Sequence, residues 1–385
     1  MPVITKRWEV ASPLPPDAIQ ELSGYPQILR QILYNRDYRT HEQARLYLEA
    51  QTPPGCQPNN LLNLPKAIDR IHYAIQHHEN IVIYGDYDAD GVTATALLGL
   101  VLKSLNAEVK EYIPNRFDEG YGLNLEAMRT LAGEGTNLLI TVDCGIRSWD
   151  EAEYARSAGM DLIITDHHHP LDELPPAFAV INPKQLGDTY PEKNLAGVGL
   201  AYKLAQALSL SGQYPNLDSG NYLDLVALGT VADLVPLTGE NRSLVRSGLE
   251  FIRQPIRQGI MALIGVSGLN PARITTTDIS FALAPRLNAS GRLESALASL
   301  NLLTSQDTME VGQIAQWLEI QNRERQKIMR DIQIKAEKQV IIDDQIPLLL
   351  FAADQEYNPG VVGLAASRLT EQYYRPSIIA SIGEN

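Results

Sequence analysis

Cysteine is nearly missing from this sequence of 385 residues. Only Cys56 and Cys144 occur, they lie far apart, and neither belongs to a CxxC pair. The sequence therefore encodes neither a disulfide framework nor a cysteine-based zinc site. We expect two packed thiols.

Long apolar runs are also missing. No stretch approaches the roughly 20 apolar residues that a membrane-spanning helix needs. The start, MPVITKRWEV, lacks the apolar segment of a signal peptide. We therefore expect a cytoplasmic protein that does not associate with membranes.

Positive charge is in deficit, because 32 Lys and Arg residues stand against 46 Asp and Glu residues and give a formal net charge of −14 at pH 7. Proteins that coat nucleic acid by bulk electrostatics are usually basic along one face, so this class is disfavoured. A metal-dependent phosphodiesterase is not excluded, since such an enzyme concentrates carboxylates at its centre and can confine positive charge to one groove.

From residue 80 onwards, short apolar runs alternate with longer amphipathic ones, a pattern typical of βαβ units and a parallel sheet. The fold class is therefore predicted to be α/β. The predicted strands are Ile81–Tyr84, Glu108–Ile113, Leu138–Val142, Leu162–Thr165 and Ala179–Ile181. The predicted helices between them are Val92–Leu105, Leu125–Ala132 and Ser148–Ala158.

The predicted domains follow changes in this pattern. They are an N-terminal extension (1–75), an α/β domain (76–240), a helical and mixed continuation of it (241–305), a long connecting helix (306–342) and a partial α/β domain (343–385). The long helix is predicted from about Asp307 to Val340, where proline is absent and charged residues are frequent. The last domain is predicted to have a strand at Pro347–Ala352 and a helix at Val361–Gln372, too little to bury a complete core.

Acidic side chains directly follow three of the predicted strands. The segments are GDYDADG with Asp86, Asp88 and Asp90, VDCG with Asp143, and TDHHHP with Asp166, His167, His168 and His169. Ligands of open parallel sheets bind outside the carboxyl ends of the strands. We therefore expect these segments to converge.

Converging carboxylates repel one another unless they are protonated or neutralised by cations. Carboxylate oxygens with one or two imidazoles suit Mn²⁺, and Mg²⁺ less well, whereas a structural zinc site normally recruits cysteine. A bridging carboxylate holds two ions about 3.5 to 4 Å apart, the spacing used for in-line displacement at phosphorus. Hydrolysis of a phosphate ester is the predicted reaction.

Each acidic segment has an ordinary interpretation when it is taken alone. An Asp-x-Asp-x-Asp-Gly stretch is often a turn or a calcium loop, but the twelfth residue from Asp86 is Leu97, where an EF-hand needs Glu. Asp143 would suit the cap of a helix starting near Ile146, and the histidine run would suit a solvated loop. Three such segments in one βαβ array favour the catalytic interpretation.

The segment GVGLAYK, Gly197–Lys203, lacks the GxxxxGK spacing of a phosphate loop. We expect its glycines instead to let a helix N-terminus approach a neighbour closely.

The segments GDYDADG, VDCG, TDHHHP and ALGTVADLVPL resemble, in this order, four motifs of the DHH phosphoesterases. The stretches IPNRFDEGYGLN, LAGVGLAYKL, APRLNASGRLESA and PGVVGLAASRL resemble the RecJ group in particular. The resemblance covers roughly residues 80–367. It implies a DHH catalytic domain over 76–240 and a partial DHHA1-like α/β domain over 343–385.

The resemblance also implies roles for individual residues. The implied metal ligands are Asp88, Asp90, Asp143, His167 and Asp233, with Asp143 bridging two ions. Asp86 belongs to the same acidic motif, either as a direct ligand or behind the ligands, and His168 would face the scissile phosphate. The implied phosphate and DNA contacts are His168, Arg116, Arg286, Asn288 and Arg292.

The function implied by the resemblance is a 5′→3′ exonuclease that cuts single-stranded DNA to mononucleotides in DNA repair and recombination. Its cofactors would be two divalent cations, Mn²⁺ preferred and Mg²⁺ the alternative. Its partners would be single-stranded DNA with a 5′ end, single-strand-binding protein and a RecQ-type helicase. The alternatives are a phosphodiesterase for short oligonucleotides or cyclic dinucleotides, and a non-catalytic replication scaffold of the same fold.

The sequence departs from the family pattern near its end. No Gly-Gly pair occurs and no histidine follows His169, so a glycine-rich loop ending in histidine is not encoded here. No segment resembles the OB-fold domain that grips single strands in RecJ proteins. Asn358 stands where RecJ proteins often have histidine. We therefore expect a C-terminally incomplete chain with an intact metal site.

Overall fold

The structure, a computed structural model, describes residues 7–342 and 345–383. Residues 1–6 lie outside the described residues, and they include most of the start of the sequence in which no signal peptide was predicted. Residue 343, the predicted start of the last domain, also lies outside them. No helix in the two described ranges is long and apolar enough to cross a membrane.

Three short helices come first: α1 (Pro16–Glu21), α2 (Gln27–Tyr34) and α3 (His41–Glu49). They enclose a small apolar cluster around Leu22 and Leu33. The next helix, α4 (Leu64–Gln76), packs instead into the main core. Residues before 76 therefore contribute to the core of the α/β region.

The central sheet has five parallel strands in the spatial order β2-β1-β3-β4-β5. They are β1 (Ile81–Tyr84), β2 (Val109–Tyr112), β3 (Leu138–Val142), β4 (Asp161–Thr165) and β5 (Ala179–Ile181). The predicted α/β class and the five predicted strands are confirmed, with ends that differ by at most one residue.

Helices cover both faces of this sheet, as parallel sheets require. Helix α5 (Ala89–Ser104) packs with α4 on one face, and α6 (Leu125–Gly133) with α7 (Trp149–Ser157) on the other. Nearly every side chain of α5 is buried, because two later helices cover its outer side. Side chains of β1 alternate between the two cores, with Ile83 on the α5 side and Val82 on the other.

A helical layer follows the sheet. Its members are α8 (Gly197–Leu210), α9 (Leu223–Ala232), α10 (Gly239–Arg253), α11 (Gln258–Val266), α12 (Thr276–Asp278), α13 (Ala284–Leu293) and α14 (Leu297–Thr304). Helices α8 and α9 pack on α5 and extend the main core.

The long helix α15 (Thr308–Val340) has 33 residues, which confirms the prediction from the sequence. The Asp307 side chain caps it by accepting hydrogen bonds from the amides of Met309 and Glu310. Its first half packs on the main core through Leu318, and its second half packs on a separate cluster through Ile332.

The last segment contains β6 (Leu350–Asp354), α16 (Val362–Tyr373) and β7 (Ser377–Ser381), and its two strands pair in parallel. The predicted strand at Pro347–Ala352 was wrong in position. Leu348 is exposed, and the alternating buried positions begin at Leu350, where pairing with Ser377 starts.

Candidate metal centre

The turn between β1 and α5 is tightly packed and ends in a helix cap. The Asp88 carboxylate accepts hydrogen bonds from the amides of Asp90, at 2.9 Å, and Gly91, at 3.0 Å. A Cβ on Gly91 would lie 2.6 Å from the main-chain oxygen of Asp86. This cap explains why α5 begins at Ala89, three residues before the predicted start.

Asp90 lies in the first turn of α5 and is buried against the N-terminus of α8. Its two carboxylate oxygens accept hydrogen bonds from the amides of Gly197, at 2.6 Å, and Val198, at 2.9 Å. A Cβ on Gly197 would lie 2.5 Å from the Cβ of Asp143. The expectation that a glycine of this segment permits close approach of a helix N-terminus to a neighbour is confirmed for Gly197, whereas a Cβ on Gly199 would meet only the Leu195 side chain, at 3.3 Å.

Asp143 follows β3 in a left-handed conformation, with φ 64°. It does not cap the next helix, which begins at Trp149, and the amide of Ile146 is held by Asp166 at 2.9 Å. The helix-cap interpretation is therefore wrong. The Oδ1 of Asp143 lies 3.1 Å from Nε2 of His167.

The residues after β4 separate the two histidines into different environments. Asp166 is buried and accepts hydrogen bonds from the His168 amide, at 3.0 Å, and from Nδ1 of His168, at 2.8 Å. His167 points the other way, into the acids: its Nε2 also lies 3.7 Å from Oδ2 of Asp233 and 4.0 Å from Oδ2 of Asp90.

All the predicted ligands therefore converge at the carboxyl ends of β1, β3 and β4. Three groups have ligand atoms within 4.8 Å of one another: Asp86 with Asp88 and Asp143, Asp90 with His167 and Asp233, and Asp143 with His167 and His168. Asp143 and His167 each belong to two of these groups, so the groups form one continuous centre. Asp86 also lies within it.

Burial and mutual repulsion disfavour charge on these acids. Burial, then the neighbouring Asp88, raises the pKa of Asp86 to about 7 and that of Asp233 to about 6. Burial, then neighbouring carboxylates, raises the pKa values of Asp90 and Asp143 well above their ordinary range. Burial, then His168, lowers the pKa of His167 to about 4, so its imidazole is neutral at pH 7.

Several atoms of the centre have no hydrogen-bond partner among the described residues. They are Oδ1 of Asp86, Oδ1 of Asp143, Oδ2 of Asp233 and both ring nitrogens of His167. Buried polar atoms are normally paired, and divalent cations of the Mn²⁺ and Mg²⁺ class bind such oxygens with imidazole nitrogen. The residues present therefore fit divalent cations.

Comparison with known proteins agrees with this geometry. A profile described as "DHH family, N-terminal domain" matches residues 80–230. The single-stranded-DNA-specific exonuclease RecJ of Bacillus subtilis is 43% identical over 381 residues, which is 98% of this chain. A crystal structure of exonuclease RecJ bound to manganese is 33% identical and has a TM-score of 0.75. The match covers 84% of this chain and 83% of the chain in that structure. This chain is a RecJ-type member of the DHH family.

A second solved RecJ, from Thermus thermophilus in complex with Mn²⁺, is 30% identical with a TM-score of 0.81. It covers 97% of this chain, whereas this chain covers 55% of it. The chain likewise spans 48% of the length of the Bacillus subtilis protein.

The RecJ-like segments place two predicted arginines beside the acids. The guanidinium of Arg116 lies 5.1 Å from the ring centroid of Tyr87. Arg292 is half-buried; burial, then the charge of Arg116, lowers its pKa, whereas Asp88 opposes that effect. It donates to the Gly360 carbonyl at 3.2 Å, which ties the last segment to α13.

Two more of the five predicted DNA contacts, Arg286 and Asn288, are engaged within the protein. Arg286 forms an ion pair with Glu319 of α15, with Nε 2.7 Å from Oε2, and donates to the Ala282 carbonyl. The side-chain oxygen of Asn288 accepts a hydrogen bond from the Ala89 amide at 2.7 Å and so supports the start of α5. Within the described ranges, the ion pair of Arg286 is with Glu319 and not with an acid of the centre.

Sequence reasoning missed several residues around the centre. The Tyr121 hydroxyl lies 3.3 Å from Nδ1 of His168. Arg325 of α15 has a buried Nε without a partner among the described residues, and burial, then Arg292, lowers its pKa to about 10. Asn182 and Lys184 contact the histidine backbone. The sequence could have indicated Asn182 and Lys184, because they directly follow β5 and so lie at the same edge of the sheet as the acids.

Proposed function

We propose that this chain is a 5′→3′ exonuclease that hydrolyses single-stranded DNA to mononucleotides with two divalent cations, Mn²⁺ preferred. The convergence of the Asp86, Asp90 and Asp143 segments with His167, with unpaired buried ligand atoms, carries the proposal. Similarity to proteins named single-stranded-DNA-specific exonuclease supports the substrate. A cytoplasmic role in repair and recombination, beside single-strand-binding protein and a RecQ-type helicase, belongs to the same proposal.

Two groups of ligands would hold the cations. Asp86, Asp88 and Asp143 would bind one ion, and Asp90, His167 and Asp233 the other. Asp143 would bridge them, because its Oδ1 lies beside His167. When bound, the pair of ions lowers the pKa of water to generate a nucleophile and neutralises charge on the phosphate.

The chain's own groups perform the remaining steps. His168 lies at the open side of the centre, and its hydrogen bond to Asp166 raises its pKa, so it can donate a proton to the leaving oxygen. Asp166 fixes the orientation of this imidazole. Arg116 and Arg292 provide guanidinium groups next to the acids, where they would bind phosphate oxygens of the strand.

The first test is hydrolysis of 5′-phosphorylated single-stranded DNA with Mn²⁺. The full chain should release mononucleotides, and Asp143→Asn should reduce the rate by at least about 10³-fold, because the carboxylate proposed to bridge the two ions becomes a neutral amide. The matched control is Asp150→Asn, since Asp150 is exposed in the first turn of α7.

Substrate competition decides between the strand and smaller esters. Single strands should be cut faster than duplexes, dinucleotides or cyclic dinucleotides. Faster cutting of dinucleotides would instead support an oligonucleotide phosphodiesterase. A folded wild-type chain that releases no nucleotide from any of these substrates would contradict the proposal, and absence of bound Mn²⁺ would favour a scaffold.

A further inference from the structure

The main-chain carbonyls of the histidine run are each held by a different side chain. Lys184 donates from Nζ to the His167 carbonyl at 2.6 Å. Asn182 donates from Nδ2 to the His168 carbonyl at 2.8 Å. Arg147 donates to the His169 carbonyl at 3.1 and 3.2 Å. The backbone of this run is therefore fixed from outside.

The first two donors come from one short turn after β5. Asn182 is fully buried, and its Oδ1 accepts a hydrogen bond from the Lys184 amide at 2.8 Å. Pro183 lies between them and restricts the backbone. Thr165 and Ile181 are paired in the sheet, so this turn and the histidines leave adjacent strands at the same level.

His167 needs such support more than His168 does. A metal-binding histidine usually donates its second ring nitrogen to a carboxylate, a carbonyl or water, and this contact sets the ring orientation. Asp166 makes that contact with His168. Neither ring nitrogen of His167 has a hydrogen-bond partner in the described part of the chain. The orientation of the His167 ring must therefore come from packing and from its backbone.

We propose that Lys184 is a positioning residue for His167: its ammonium holds the His167 carbonyl and thereby sets the affinity of the Asp90–His167–Asp233 group for its cation. This inference rests on the proposed function, in which that group binds one of two ions. The Asp86–Asp88–Asp143 group lacks this contact and should depend on Lys184 much less.

The charge of Lys184 and its hydrogen bond act on metal affinity in opposite directions. The ammonium attracts the carboxylates of Asp233 and Asp166, and a positive charge close to these acids repels an incoming cation. If charge were the main contribution, removing it would tighten cation binding. If the hydrogen bond of Lys184 positions His167, removing that bond weakens cation binding. The direction in which the cation affinity changes therefore separates the two effects.

The test is titration calorimetry of Mn²⁺ into the metal-free 385-residue chain, without DNA, after thermal unfolding has shown that each variant is folded. Lys184→Met should weaken one of two binding events about tenfold and leave the other unchanged, as expected for loss of a contact behind a ligand. Lys184→Arg keeps a donor and the charge and should restore affinity to within about twofold.

Lys66→Met is the matched control. Lys66 also donates from Nζ to a main-chain carbonyl, that of Phe178, at 2.6 Å, but away from the centre. It should leave both binding events unchanged. If Lys184→Met binds Mn²⁺ as tightly as the wild type does, or more tightly, the positioning role is overturned. It is also overturned if Lys66→Met weakens Mn²⁺ binding as much as Lys184→Met does. A wild-type chain that binds fewer than two ions would overturn the proposed metal centre, and the role of Lys184 with it.

Discussion

At the scale of single residues, the acids of the centre oppose the folded state when no cation is bound. Asp86 has a pKa of about 7 and Asp233 one of about 6, whereas aspartate in an unfolded chain titrates near 3.9. The folded chain therefore binds more protons than the unfolded chain between these values. Protons and divalent cations can both neutralise these carboxylates, so they compete for them.

This competition predicts how stability depends on pH. Because the folded pKa values are raised, the stabilisation is complete below about pH 4 and is lost as pH rises through about 6 to 7. The melting temperature of the metal-free chain should fall by several degrees between pH 5 and 8, roughly 1 kcal/mol or more. Saturating Mn²⁺ should raise it, and more at pH 8 than at pH 5.

Differential scanning calorimetry with a chelator or with Mn²⁺ measures both effects. Asp143→Asn should flatten the pH dependence of the metal-free chain, because Asp143 repels Asp90 and Asp86. A metal-free melting temperature that increases from pH 5 to pH 8 would contradict the inferred electrostatics.

The sequence identifies Asp86, Asp88, Asp90 and Asp143 because their segments directly follow strands, where parallel topology brings them together. Asp233 instead follows α9, so only the family resemblance pointed to it. The sequence does not identify partners that depend on three-dimensional packing. Arg286 lies in α13 and its ion-pair partner Glu319 lies in α15. The sequence around Arg286 contains no signal for this pairing. Lys184 lies at the same edge of the sheet as the acids, but its target is a main-chain carbonyl, which no sequence motif records.

At the scale of elements, the N-terminus of α8 is part of the centre. Its amides at Gly197 and Val198 hold the two oxygens of Asp90, and a helix N-terminus favours negative charge. The helix can approach so closely only because Gly197 has no side chain facing Asp143. Helix position and ligand position are therefore linked.

Gly197→Ala should weaken Mn²⁺ binding about tenfold or more, because the new Cβ would displace Asp143 or the start of α8. The control is Gly312→Ala in α15, where a Cβ would meet no atom within 4 Å. That variant should be more stable by about 0.5 to 1 kcal/mol, with unchanged metal binding. Equal metal affinity of the two variants would show that α8 does not position the acids.

Helix α15 holds Arg286 through Glu319, and both side chains are largely buried. If Arg286 binds the strand's terminal phosphate, Glu319 competes with that phosphate. Glu319→Gln should therefore lower stability, since it breaks a buried ion pair at a cost of about 3 kcal/mol. It should also tighten binding of a 5′-phosphorylated strand severalfold relative to a 5′-hydroxyl strand.

Fluorescence anisotropy with both strands, in the presence of a chelator, measures this preference. Glu324→Gln is the control, because Glu324 lies on the same helix and pairs only loosely with Lys327, at 3.9 Å. If Glu319→Gln increases the affinity for the 5′-phosphorylated strand and the 5′-hydroxyl strand equally, Arg286 does not bind the terminal phosphate.

The elements themselves were predictable where their pattern is strong. The strands β1, β3, β4 and β5 are largely apolar and buried, whereas β2 contains Lys110 and Glu111 and is only partly buried. Helix α15 has no proline over 33 residues. The strand β6 was misplaced because Leu348, Leu349 and Leu350 are equally apolar in sequence, whereas only Leu350 turns inward. A run of identical side chains contains no periodicity from which the buried face can be chosen.

At the scale of the whole molecule, the net charge of −14 coexists with a local concentration of guanidinium groups. The charge of Arg116 acts on Arg292, and the charges of Arg292 and Arg286 act on Arg325 of α15. A strand that reaches the acids would meet positive charge at these groups, which agrees with charge confined to one groove rather than with coating of nucleic acid.

The molecule also divides into parts of unequal stability. The last segment shares only a small cluster with the second half of α15, and one face of its two-stranded sheet is open. Phe351 and Ile378 pair across the strands on that face and are 58% and 50% exposed. By contrast, β1, β3 and β4 are buried on both faces.

Amides of β6, α16 and β7 should therefore exchange with deuterium at least about tenfold faster than those of β1, β3 and β4, because fewer buried contacts resist local opening. Mass spectrometry of the exchanging chain measures this by peptide. Mn²⁺ should slow exchange in the β1–α5 turn and at the start of α8, whose groups touch the centre, and leave β7 unaffected. Uniform exchange across the two regions would mean that α15 joins them into one cooperative unit, and that the Arg292–Gly360 contact is stronger than its single hydrogen bond suggests.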